Sequence, residues 1–91
     1  VGEIEDCFEI GNGTYLVAEG GNLTIIDINT FTTSSYLSNI GAKKMWYDEV
    51  TNELFVGNVN ILSIYDFTTK NLKGTYTHSS EIKDVVFWYN K

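Results

Sequence analysis

A chain of 91 residues with a net charge of −6, six lysines and no arginine is one small domain at most, or part of a larger one. It excludes the clustered Lys and Arg from which nucleic-acid binding draws its affinity. No apolar run approaches the roughly 18 residues of a membrane-spanning helix, so no membrane insertion is expected, and the lone Cys7 excludes an internal disulfide or a CxxC pair.

Short apolar runs, broken by Gly, Asn, Ser and Thr, predict nine β-strands and no helix. The first is Ile4–Ile10, ended by Gly11-Asn12-Gly13; within it Cys7, in the setting DCFEI, reads as a buried small hydrophobe. The second is Thr14–Glu19, ended by Gly20-Gly21-Asn22. Leu23–Ile28 is the third and Ser34–Asn39 the fourth. The fifth, Lys44–Tyr47, is followed by Asp48-Glu49, which reads as exposed turn charge. Glu53–Gly57, Leu62–Phe67 and Thr75–His78 are the sixth to eighth, and Ile82–Tyr89 is the ninth.

The chain repeats itself. Residues 62–69 (LSIYDFTT) answer to residues 23–30 (LTIIDINT) at a shift of 39. Tyr15-Leu16-Val17-Ala18 answers to Glu53-Leu54-Phe55-Val56 at 38, and Ile4-x-Asp6 to Ile82-x-Asp84 at 78. Four strands at a period near 40 residues are the pattern of a β-propeller blade. The reading is therefore all-β, with residues 1–40 as one blade, 41–81 as a second, and 82–91 as the inner strand of a following blade. Two blades do not close a ring, so further blades of the same polypeptide, or copies of the chain, are expected to complete it. The opening on Val1, without an initiator Met, points the same way.

The stretch LSIYDFTTKNLKGTYTHSSEIKDVVFWYNK resembles a WD40 repeat. Tyr65-Asp66 stands for the Trp-Asp dipeptide, and His78 precedes the I-x-D-V-x-F strand. The first repeat, YLVAEGGNLTIIDINT, resembles the wider class of short propeller repeats. It departs from the family in having Ile26 and Tyr65 at the Trp position, Thr77-His78 for Gly-His, and Gly20 and Val59 near the place of the turn aspartate. The resemblance implies a non-enzymatic propeller that holds a protein partner. The alternative is a secreted or surface propeller that binds carbohydrate or builds an assembly.

No nucleophile–base constellation, phosphate loop, Cys/His zinc spacing or calcium loop is present, and no cofactor is expected. His78-Ser79-Ser80-Glu81 reads as a turn rather than a triad, since triads assemble from distant positions. Asp27 and Asp66, each ending a strand before a Thr-containing turn, read as turn-fixing side chains. Trp46, Tyr47, Trp88, Tyr89 and His78 are the candidate contacts for a ligand or partner, with packing as the competing role of the aromatics. Asn12-Gly13-Thr14 and Asn22-Leu23-Thr24 are glycosylation sequons in predicted turns. The absence of a signal-peptide pattern favours a cytoplasmic setting, and the sequons a secreted or surface one.

Overall fold

The structure, a computed structural model, describes residues 4–85. These residues are all-β and contain no helix: β1 (Ile4–Gly11), β2 (Thr14–Glu19), β3 (Gly21–Asp27), β4 (Thr32–Ala42), β5 (Lys44–Asp48), β6 (Glu53–Asn58), β7 (Ile61–Asp66) and β8 (Leu72–Thr77). They form two four-stranded sheets, in the orders β1-β2-β3-β4 and β5-β6-β7-β8. The strand pairs with a described register are antiparallel. Each sheet thus pairs strands that are neighbours in the chain. The chain divides into two compact units after Met45.

Turn chemistry sets the strand limits. Gly20 and Gly21 both have positive φ (59° and 82°), so Glu19 pairs with Asn22 and β3 begins at Gly21 rather than Leu23. Positive φ at both central residues matches the twist of the flanking strands. β4 is longer than predicted. Thr32 and Thr33 extend its pairing to Asp27 and Ile26, and its other end returns to pair Ala42 with Gly21 after a register shift. Asn39 (φ 57°) and Gly41 (φ 67°) make that bend. β8 likewise starts early, because Leu72 pairs with Tyr65. The ninth strand is not formed where it can be seen: Ile82 donates its N–H to the Val59 carbonyl at 2.7 Å, and residues 82–85 carry no strand pairing. Val86–Tyr89 lie outside the described residues.

The second and third strands of the two sheets pair in registers that repeat at 39 residues, which corrects the 38-residue match of the second strand. Thr14 pairs with Asp27 and Glu53 with Asp66; Ala18 pairs with Leu23 and Gly57 with Leu62. Leu16 therefore corresponds to Phe55, not to Leu54. One residue of slip moves every side chain to the opposite face. In the first sheet the fully buried Leu16, Ala18 and Leu23 share one face, whereas in the second Leu54, Val56 and Tyr65 are buried on the other. The 38-residue match had paired two fully buried leucines that point to opposite faces.

Two further expectations are corrected. Cys7 is exposed, because β1 is an edge strand and Cys7 shares its outward face with the exposed Glu5 and Glu9, alternating with the half-buried Asp6 and Phe8. Asp48 is buried at 6 % exposure, and its Oδ1 accepts the Val50 N–H at 3.0 Å, while Glu49 is exposed.

Left-handed backbone recurs with the same period. Gly13 and Asn52 (φ 80° and 57°), Gly20 and Val59 (59° and 54°), and Phe31 and Lys70 (55° and 67°) are each 39 residues apart. Glycine and asparagine tolerate that region, but a β-branched residue there is strained. Val59 occupies the glycine position of its turn, so Val59→Gly is expected to stabilise the second unit. Relief of strain, of order 1–3 kcal/mol, outweighs the entropy cost of a glycine, roughly 0.5–1 kcal/mol. A rise of a few degrees in the thermal midpoint is expected for a net gain of about 1 kcal/mol. An unchanged or lower midpoint would refute it.

Candidate functional site

The best-built group of side chains lies in the second unit, where the ends of β5, β6 and β7 converge. Asn52, just before β6, is held with φ 57°. Its Oδ1 accepts the Tyr47 hydroxyl at 3.0 Å, and its Nδ2 donates to Thr68 Oγ1 at 2.7 Å. Its carbonyl accepts the Phe67 N–H at 3.0 Å. The Tyr47 and Phe67 rings meet with centroids 4.8 Å apart and planes tilted by 48°, a geometry that adds modestly to simple burial. Asp66 closes the group: its Oδ1 accepts the backbone N–H of Thr69 at 2.9 Å and of Thr68 at 3.0 Å. Those amides, Thr69's first, hold the Asp66 carboxyl below the usual carboxylate range.

The first unit has a plainer version. Gly13 replaces Asn52, and its carbonyl accepts the Ile28 N–H at 2.9 Å. Asp27 Oδ1 accepts the Asn29 N–H at 2.8 Å, and Asn29 Nδ2 reaches back to the Asn12 carbonyl at 3.0 Å. A side chain at Gly13 would have to adopt its left-handed φ of 80° and would displace the Asn29 amide, 2.4 Å from where its Cβ would stand.

Of the aromatic candidates, Tyr47 belongs to this network, and Trp46 is half-buried with its indole N–H donating to Asp84 Oδ1 at 3.0 Å. Asp84 Oδ1 also accepts the Val85 N–H at 2.9 Å, as Asp6 Oδ1 accepts the Cys7 N–H at 2.8 Å at the matching place 78 residues earlier. Trp88 and Tyr89 lie outside the described residues. His78 is exposed; its Nδ1 accepts the Ser80 N–H at 3.2 Å, and its backbone N–H donates to the Asn60 carbonyl at 2.7 Å. Asn60 Nδ2 returns a bond to the His78 carbonyl at 2.9 Å. In the first repeat, Asn22 Oδ1 accepts the Asn39 N–H at 2.8 Å. An asparagine at or beside the turn between the second and third strands thus holds the bend within β4 in the first unit and the chain just after β8 in the second. Asn22 therefore belongs to β3, half-buried and bonded, whereas Asn12 is exposed in its turn.

Sequence reasoning missed Asn52 and the exposed apolar surface. Asn52 could have been found as the asparagine standing 39 residues after a turn glycine. The exposed residues include Phe31 (89 %) beside Ile28 in the β3–β4 turn. On the edge strand β8, Leu72 and Tyr76 are also exposed, and the Tyr76 ring lies across Gly74. Leu72 pairs with Tyr65 and Tyr76 with Leu62, so the two stand on opposite faces of the sheet.

Glu53 on β6 and Lys73 on β8 form an ion pair that reaches across β7. The Lys73 hydrogen bond, helped by Thr51, lowers the Glu53 carboxyl, and Glu53 in turn raises Lys73. Among the described residues no three His, Cys, Asp or Glu side chains come close enough to hold a metal ion. No buried side-chain nitrogen or oxygen there lacks a partner. No protein-family model matches the chain, and no curated protein matches it significantly.

The network makes two predictions. Asn52→Ala removes two side-chain hydrogen bonds and replaces a residue that tolerates left-handed backbone with one that does not. At about 1 kcal/mol per bond plus roughly 1 kcal/mol for the backbone, it is expected to lower stability by about 2–3 kcal/mol in denaturant titration, and Asn52→Gly by less. The second concerns acid. Asp66 and Glu53 have carboxyls lowered in the folded state, so their stabilisation is complete above the unfolded carboxylate range, roughly pH 4–4.5. It is lost as pH falls through the folded values. Thermal midpoints are expected to fall between pH 5 and pH 2, and to fall less in Asp66→Asn; equal falls would remove Asp66 from the account.

Proposed function

We propose that the chain is two blades of a divergent WD40-like β-propeller, and that it serves as a non-catalytic scaffold holding a protein partner. The observation that supports this most is the recurrence, every 39 residues, of strand register and of left-handed turn positions within two four-stranded meanders. Repeat units of this kind bury their faces only by stacking on further units, and propellers close with typically 4–8 blades. Two blades need others, from the same polypeptide or from copies of the chain. The partner-binding reading draws on the exposed Phe31, Leu72 and Tyr76 and on polar groups that are spent on turns rather than gathered around a reactive centre. Large exposed apolar side chains on rigid strands and turns suit association. A second reading, a secreted or surface propeller that binds carbohydrate or builds an assembly, is favoured by the exposed sequon at Asn12.

The test is the mass of the 91-residue chain by light scattering after size exclusion. A closed assembly at three or four times 10.3 kDa is expected if copies complete the ring, and an aggregating or unfolded chain if further blades of a longer polypeptide do. A monodisperse monomer with a cooperative unfolding transition would overturn the blade reading.

A further inference from the structure

We propose that Asn12 is a site of spontaneous covalent modification. Its side-chain amide is converted through a cyclic imide to aspartate and isoaspartate while the chain stays folded.

The reaction needs the amide nitrogen of the following residue to reach the asparagine Cγ. A side chain on that following residue blocks the approach, and a glycine leaves it open. Of the nine asparagines in the chain, Asn12 alone precedes a glycine; the others precede Leu, Thr, Ile, Glu, Val or Lys. Four of them also have side chains committed elsewhere. Asn22 accepts from the Asn39 backbone, Asn29 donates to the Asn12 carbonyl, Asn60 donates to the His78 carbonyl, and Asn52 bridges Tyr47 and Thr68. Asn12 is exposed in the β1–β2 turn, and among the described residues nothing bonds its side-chain amide. Its backbone carbonyl accepts from Asn29 Nδ2, a bond that leaves the Asn12 side-chain amide uncommitted.

The turn also supplies a base. The Gly13 N–H donates to Glu9 Oε2 at 3.1 Å. The proton that the nitrogen must lose therefore has a carboxylate waiting for it. The nitrogen of Gly13 forms a bond to Asn12 Cγ, and the bond from Cγ to Nδ2 breaks. Nδ2 leaves as ammonia, taking up a proton, and a five-membered imide remains. Solvent water then opens the ring. Attack at Cγ gives aspartate, and attack at the backbone carbonyl carbon gives isoaspartate, in which the main chain runs through Cβ and Cγ.

Both products place a new negative charge beside Glu9, and isoaspartate lengthens the main chain within a turn that closes Gly11 onto Thr14. Either product also removes the Asn12 glycan acceptor.

The experiment incubates the folded chain at mildly alkaline pH and follows it by peptide mass spectrometry, with enzymatic methylation of isoaspartate as a second readout. The peptide carrying residues 12–13 is expected to convert at least several-fold faster than any other asparagine-containing peptide. Conversion is expected to slow in Glu9→Gln and to vanish from that peptide in Asn12→Gln, a side chain that would need a larger ring. Circular dichroism on each variant establishes that it is folded. Conversion at Asn12 no faster than at the other asparagines, or only after unfolding in urea, would overturn the proposal. A Glu9→Gln rate equal to or above that of the parent would overturn the role given to Glu9.

Discussion

In each sheet one backbone hydrogen bond joins the turn before the second strand to the first residue after the third: Ile28 to Gly13 in the first, Phe67 to Asn52 in the second. In both units the residue whose carbonyl accepts that bond, Gly13 or Asn52, has left-handed backbone. Everything around it follows. The strand-ending aspartate gathers the next amides, the third strand stops there, and the outer strand starts at a fixed remove. A glycine meets the requirement with its own freedom and leaves the surroundings sparse. An asparagine meets it at slightly greater cost and repays this through two side-chain bonds, so the second unit has a hydrogen-bonded cluster where the first has an open turn.

The eight strands of the described residues were legible because turn residues and apolar runs alternate so regularly. Their limits were less so. β4 outran its prediction because Asn39, read as the end of the strand, instead bends it together with Gly41. The 38-residue match of the second strands failed for a more instructive reason. Matching Leu16 to Leu54 follows hydrophobicity, and both are fully buried, yet backbone pairing puts them on opposite faces. Burial in a small repeat depends on what lies against each face, whereas register depends only on the ladder. The two signals part company because the first repeat buries Leu16 and Ala18 on one face and Val17 on the other, so burial alone does not say which residue answers to Leu54.

The candidate site was legible in its acids and not in its amides. Asp27 and Asp66 stand at a recurring place in a recurring motif, and both accept backbone amides of the following turn. Asn52, Asn60 and Asn22 carry as many bonds, but nothing in their flanking residues distinguishes them from the other asparagines. Their roles come mostly from partners at least 16 residues away, and for Asn52 also from Tyr47 five residues before it and from its left-handed backbone. Cys7 was misread for a related reason. Its neighbours are apolar on one side of the strand only, and a sequence window does not say which side faces water.

Pairing strictly between chain neighbours has a kinetic consequence. Each sheet grows hairpin by hairpin, and most ladders begin by closing a turn of only a few residues. The entropy of loop closure stays small at each step, unlike that of Greek-key sheets of similar size. The rate of each step then rests on how readily its turn forms. Gly20-Gly21 is already suited to its turn, while Val59 must be driven into a conformation it resists. Assembly is therefore uneven along the chain, with the β2–β3 hairpin forming ahead of its counterpart β6–β7.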